Sequence, residues 1–232
     1  MTTVHERTRG RCAQAKIQIM SITSTLSVTP SDLNQMEPAF WDHLLSSVPW
    51  CNQLLTNFEL IQKELEQFIK NGRPFMDYPK YGNLYSNTWE AFPLSVFEGE
   101  FISLAKGQLG FDLNEFVKQA RGQLPELSNL LEGLEAEGHL RNVFVSRLLP
   151  GSVIHPHRGW TPEFLRIHLG LKCDPLCKIT VGNTTKTWET GKFLAFRDGG
   201  PYLHSVKHQG RQERIILSVD LRMSYVSQFF KL

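Results

Sequence analysis

The sequence is short of most features that mark a secreted scaffold, a membrane protein or a nucleic-acid binder. Its four cysteines (Cys12, Cys51, Cys173, Cys177) are scattered over 232 residues. Even the close pair in CDPLC has neither zinc-knuckle spacing nor a second pair, so neither a disulfide framework nor a structural zinc site is expected. No apolar run approaches the ~20 residues that cross a bilayer. The first twenty residues are basic but lack the apolar stretch of a secretory signal. A soluble, cytoplasmic chain with no membrane partner is the expectation. Charge is nearly balanced, 25 Lys and Arg against 23 Asp and Glu, with no clustered basic face. That speaks against a nucleic-acid partner. Internal repeats and low-complexity tracts are also missing. What the chain does have is 41% hydrophobic residues, including 15 Phe and 5 Trp, enough core for one large domain.

Along the chain, helical patterns come first and strand patterns afterwards. Residues 1–30, a basic segment followed by SITSTLSVT, read as a disordered N-terminal segment in which Met20 could equally serve as the start. From residue 31 onward a single domain is expected, with 31–138 a mainly helical annex and 139–232 a β core. Ser31 and Asp32 are cap candidates for a helix entering MEPAFWDHLL. In NFELIQKELEQFIKNG the residues Phe58, Ile61, Leu65, Phe68 and Ile69 share one helical face, and Asn71-Gly72 ends it. Residues 73–98 read as loop with short strands. Two further helices are predicted at DLNEFVKQAR and PELSNLLEGLEAEG.

After Gly138 the segments NVFVSRLL, EFLRIHLGLK, CKITVG, TKTWE, GKFLAF, LHSVKH and ERIILSVDLR are short, alternating and β-branched. Turns are expected at Asn183 and at Glu189-Thr190-Gly191. Many short strands without intervening helices predict a closed barrel or jelly roll. The fold class is therefore α+β: a C-terminal double-stranded β-helix (jelly-roll, cupin-like) barrel with N-terminal helices packed against it.

Alternation makes the polar residues of these strands informative. In FLRIHLGL, Leu165, Ile167, Leu169 and Leu171 share one face, and Phe164, Arg166, His168 and Gly170 the other. The last strand puts Arg214, Ile216, Ser218 and Asp220 on one side. A buried arginine needs an anion; for Arg166 that could be Asp220, Glu213 or a ligand. HPHRG and YLHSV bring histidines to the mouths of two strands far apart in sequence, where they can meet at one metal. Imidazole suits iron, zinc and copper alike, so the pair does not choose among them.

From about Pro125 to Leu221 the sequence resembles the aspartyl/asparaginyl β-hydroxylases, members of the iron(II)/2-oxoglutarate oxygenase superfamily. The matching pieces are SRLLPG, PHRG, LRIHLGL, TWETGK with LAF, HSV and RIILSVDL, in order, with WEAFPL a weaker match upstream. The resemblance implies His157 and His204 as metal ligands, and Ser146, Arg166, His168 and Arg214 as contacts to 2-oxoglutarate. Arg214 would pair bidentately with the distal carboxylate. His155 is expected beside the metal or at the surface, not on it. The implied cofactors are Fe(II), 2-oxoglutarate as co-substrate and O2. The implied reaction is hydroxylation of an unactivated C–H in an amino acid or peptide-like small molecule, with succinate and CO2 as co-products.

Gly159 stands where the usual facial triad has a carboxylate, an absence that the family shares. Iron-dependent halogenases bind halide in the same gap, so a halogenase or another radical tailoring enzyme is an alternative outcome. A non-catalytic cupin-like binding protein is a second alternative. The chain departs from the family in having Arg197 then Asp198 after Phe196, where two Asp are usual, and in two extra residues within RDGGPYLH. Arg158 and Arg197 exceed what 2-oxoglutarate needs, and one of them is expected to meet an anionic group on the substrate.

Overall fold

The computed structural model describes residues 37–72, 74–79, 82–95 and 112–230. Glu37–Leu232 form one compact unit. The expectations for the first 36 residues, including the caps Ser31 and Asp32, lie outside the described residues.

Three of the four predicted helices form where the pattern puts them; the one expected at MEPAFWDHLL is only a 3-10 turn, with an unpredicted helix after it. After a 3-10 turn at Asp42–Ser47 come α1 (Pro49–Thr56) and α2 (Phe58–Gly72). Ile61, Leu65 and Phe68 of α2 are buried, and Phe58 and Ile69 pack against the same cluster. α3 (Leu113–Gly122) starts at Asp112, whose carboxylate accepts from the Asn114 amide at 2.8 Å, the usual service of an N-cap aspartate. α4 (Pro125–Ala136) has proline in its first turn, where the missing N–H costs nothing. The Glu64 carboxylate from α2 accepts from the Glu126 amide there at 3.0 Å. Among the described residues no helix is long and apolar enough to cross a membrane.

Eleven strands make two antiparallel sheets among the described residues. They are β1 (Met76–Asp77), β2 (Tyr85–Ser86), β3 (Trp89–Ser95), β4 (Leu140–Leu148), β5 (Val153–His157), β6 (Phe164–Lys172), β7 (Cys177–Val181), β8 (Thr184–Thr187), β9 (Phe193–Arg197), β10 (His204–His208) and β11 (Arg214–Arg222). The larger sheet has the order β1-β3-β4-β11-β6-β9 and the smaller β2-β5-β10-β7-β8. This is the expected jelly-roll core, with one refinement. β3 pairs with β4, and β2 with β5, so the stretch read as a helical annex supplies strands to both sheets. A short C-terminal helix, α5 (Met223–Val226), follows β11.

Period-two alternation sorts the large sheet into two faces. Leu165, Ile167, Leu169 and Leu171 of β6, with Ile215, Leu217, Val219 and Leu221 of β11, join the helices in one cluster. Each such fully buried side chain contributes about 1.5–3 kcal/mol. The opposite face, with Leu148, Leu194, Phe196 and Ile216, packs on Ile154, Ile179, Val181 and Val206 of the small sheet. Gly170 interrupts that inner face because a Cβ there would lie 2.2 Å from the Glu189 carbonyl oxygen. Polar side chains on the inner face therefore lie between two apolar walls.

Candidate functional site

Six of the eight residues singled out from the sequence line one cavity between the sheets, with about 410 Å³ not filled by atoms and part of it open to solvent. Ser146, Arg166, His168 and Arg214 come from the large sheet, and His157 and His204 from the small one.

At one end, the register of β5 and β10 sets His157 opposite His204, with ring centroids 4.1 Å apart. His157 Nδ1 lies 2.8 Å from the His155 carbonyl oxygen. A carbonyl only accepts, so Nδ1 carries the proton and Nε2 keeps its lone pair. His155 thus contributes its backbone, while its side chain is exposed. Burial, with His204 adding, pushes the His157 pKa down to about 4, which keeps the neutral form that a ligand must have. His204 is buried, its Nε2 is 3.2 Å from Asp198 Oδ1, and its Nδ1 has no partner.

Asp198 is the residue that sequence reasoning did not place here. Its Oδ2 occupies the space a side chain on Gly159 would need, 1.7 Å from the ideal Cβ position. The carboxylate absent two positions after His157 is thus replaced in space by one from the end of β9. Arg166 Nη1 holds Asp198 Oδ1 at 2.5 Å, and Arg166 also grips Asp220 with two bonds of 2.8 and 2.9 Å. Burial disfavours the charged Asp198, but Arg166 and then His204 outweigh it and hold its pKa below the usual carboxylate range. Glu213, the other candidate partner of Arg166, pairs with Lys172 at 3.0 Å. The three side-chain bonds found for Arg166 all go to carboxylates of the protein, while the residue still lines the cavity. Arg166 anchors Asp198.

At the other end stands Arg214, 2% exposed. No carboxylate lies within ion-pair distance of it among the described residues. Nη1 is 3.2 Å from Ser146 Oγ, the guanidinium lies 4.8 Å from the Trp188 ring centroid, and Nε has no partner. Burial lowers its pKa while the neighbouring Cys177 thiol works the other way. A buried cation without an anion is unfavourable, and this one faces a cavity. The neighbours are set to help. Ser146 Oγ accepts from both Trp89 Nε1 (3.0 Å) and Arg214, which leaves its own hydrogen to donate. Trp188 Nε1 donates to His168 Nδ1 at 3.2 Å, so the hydrogen of this neutral imidazole is on Nε2. Burial, then Arg166 and Arg214, keep the His168 pKa well below its usual value. Ser146, His168 and Arg214 are three donors suited to carboxylate oxygens.

Arg158 and Arg197 do not line the cavity. Arg158 is exposed and donates to the Pro201 carbonyl. Arg197 forms two 2.8 Å bonds to the Glu37 carboxylate and donates to the Pro162 carbonyl. The bonds found for both guanidiniums go to protein oxygens outside the cavity.

Among the described residues no group of three or more His, Cys, Asp or Glu could by itself hold a metal. The donor set is two imidazoles, with Asp198 alongside but held by Arg166. The freed Nε2 of His157 and the partnerless buried nitrogen of His204 fit a metal that takes its remaining ligands from small oxygen donors.

Residues 56–223, well over half of the chain, match the profile of the aspartyl/asparaginyl beta-hydroxylases. The chain belongs to that family. Aspartate beta-hydroxylase domain-containing protein 2 of Mus musculus is 40% identical over 83 residues, 34% of this chain and 24% of that protein. Aspartyl/asparaginyl beta-hydroxylase of Homo sapiens is 40% identical over 100 residues, 42% of this chain and 13% of that protein. The aligned part thus spans a quarter or less of these relatives. A Pseudomonas putida prolyl-4-hydroxylase superposes with a TM-score of 0.41 and 13% identity, covering 71% of this chain and 86% of that one.

Proposed function

We propose that this protein is an Fe(II)- and 2-oxoglutarate-dependent hydroxylase acting on an amino acid or peptide-like small molecule. The observation that carries the reading is the charge pattern of the cavity. One end holds a buried arginine with no carboxylate within ion-pair distance among the described residues, and the other two facing histidines, of which burial keeps His157 neutral. A dianionic keto acid that also reaches a metal suits both ends. His157 and His204 hold the iron. Arg214, Ser146 and His168 take the distal carboxylate, and Trp89, Trp188 and Phe196 line the space around it. With the co-substrate and O2, iron(II) supplies the oxidation of an unactivated C–H bond, releasing succinate and CO2.

The test is anaerobic reconstitution with Fe(II) and 2-oxoglutarate, followed by visible absorption. A weak charge-transfer band is expected in the parent and absent from His157→Ala, His204→Ala and Arg214→Ala. A folded parent with no band and no 2-oxoglutarate binding by calorimetry would defeat the proposal and leave a binding module.

A further inference from the structure

Asp198 lies on the loop 198–203 between β9 and β10, and one residue outside the barrel grips both flanks of that loop. The Glu37 carboxylate receives two 2.8 Å bonds from Arg197, and the Glu37 carbonyl oxygen accepts from the Tyr202 hydroxyl at 2.7 Å. The side chains of Glu37 and Arg197 are 19% and 24% exposed. Both bonds come from Arg197 Nη1, and the ion pair is drawn largely out of water, where it is worth more than at the surface.

The arm that carries Glu37 is itself fixed to the barrel. The Trp41 amide donates to the Ala195 carbonyl at 2.7 Å, alongside β9. Phe40 packs edge-on against Phe196 at 6.4 Å, and Phe196 lies 4.9 Å from His204 and 5.4 Å from His168. On the far side the loop is stitched to the segment after His157. The Gly159 amide donates to the Asp198 carbonyl at 2.8 Å, and Gly199 lies so close to the Thr161 backbone that a Cβ would meet its carbonyl oxygen at 2.3 Å.

We propose that Glu37 is a positioning residue for the metal end of the cavity. By clasping Arg197 and Tyr202 it fixes the loop that holds Asp198 against His204. This inference rests on the proposed function, since it gives Asp198 a metal to stand beside. Without the Glu37 carboxylate, Arg197 keeps only the Pro162 carbonyl. The loop then keeps its Gly159 side and the Tyr202 bond to the Glu37 carbonyl but loses the clamp next to Asp198, and the 3.2 Å approach of its carboxylate to His204 loosens.

The experiment measures Mn(II) binding to the full-length protein by electron paramagnetic resonance, without co-substrate or turnover, well below the thermal transition. Glu37→Gln and Arg197→Gln are each expected to weaken Mn(II) binding about tenfold, the lower end of what outer-sphere partners of metal ligands cost. Their double variant should lose no more than either alone, because the two substitutions break one link. Tyr202→Phe, which removes one hydrogen bond and little else, should weaken binding about threefold and serves if the charge variants do not fold. A purely structural clasp would lower thermal stability and leave Mn(II) affinity within about twofold of the parent; that result overturns the inference while the proposed function stands. A parent that takes up no Mn(II) overturns both.

Discussion

Gly159 and Asp198 exclude each other's side chains: a Cβ on Gly159 would stand 1.7 Å from Asp198 Oδ2 and 3.1 Å from the Asp198 backbone carbon. The glycine is thus a steric requirement of a carboxylate delivered from another strand. Gly159→Ala is expected to displace Asp198 and cost about 1–3 kcal/mol, as overpacking does. Co(II) or Mn(II) affinity should fall with it. Gly159→Asp should not build a three-ligand triad, because the new carboxylate and Asp198 compete for one space. Chemical denaturation and metal titration check both. A Gly159→Ala protein matching the parent in stability and affinity would show that Asp198 is elsewhere.

Arg214 is held where folding gains least from it. A buried guanidinium without an acid destabilises the chain, and function is the reason to keep it. Arg214→Met should therefore abolish 2-oxoglutarate binding and at the same time raise the thermal midpoint. The rise should be about 2–4 °C for each kcal/mol recovered. Adding 2-oxoglutarate with Mn(II) should stabilise the parent by mass action and leave the variant unmoved. Thermal scans with and without 2-oxoglutarate check this, and a fall in midpoint for Arg214→Met would contradict it.

How far the sequence could be read depends on which contacts are local. Alternation in β6 and β11 revealed which face carries Leu165, Ile167 and Leu169 and which carries Arg166, His168 and Arg214, because a strand's side-chain period is a property of the strand itself. The helical face of α2 was legible for the same reason. Asp198 was not. Its place depends on β9 and the His157 loop meeting across the barrel mouth, and no spacing along the chain encodes that. The local signals were Gly159, which has no side chain where the usual facial triad has a carboxylate, and Asp198 itself, one of the two positions after Phe196 where the family usually has Asp. The partner of Arg197 was equally hidden, because Glu37 is 160 positions away in sequence. β2 and β3 were read only as short strands in a loop, since Tyr85–Ser86 is too short to show a period.

The Asp220–Arg166–Asp198 chain predicts an asymmetry. Asp220 is 3% exposed and makes two of the three bonds on Arg166. Asp220→Ala should cost about 3–5 kcal/mol, the range for removing one partner of a buried pair. Arg166→Met in the Asp220→Ala background should recover part of that loss. Metal affinity should stay low in the double variant, because Asp198 has lost its anchor. Urea denaturation of the single and double variants supplies the stability arm; a double variant less stable than Asp220→Ala would refute the prediction.

His208 predicts a pH dependence. It is 1% exposed, its Nδ1 accepts from the Gly210 amide at 3.2 Å and its Nε2–H donates to the Gln212 carbonyl at 2.8 Å. The first bond requires the neutral ring, since a protonated Nδ1 cannot accept. Burial lowers its pKa below 6.5 and Arg214 adds to this, although the Gln212 carbonyl and Asp174 oppose it. The sign follows from proton counting. Below pH ~6.5 the unfolded chain binds a proton at this site that the folded chain refuses, so the stabilisation is complete above that pH and is lost as pH falls through it toward the folded pKa. His168 acts in the same direction, so the parent alone cannot isolate either residue. His208→Gln can: it removes one titrating group, and the slope of unfolding free energy between pH 7 and 5 should flatten by at most about 1.4 kcal/mol per pH unit. Urea midpoints across that interval give the two slopes. Parallel lines for parent and variant would mean that His208 is protonated in the folded protein, and the turn it pins would then need another account.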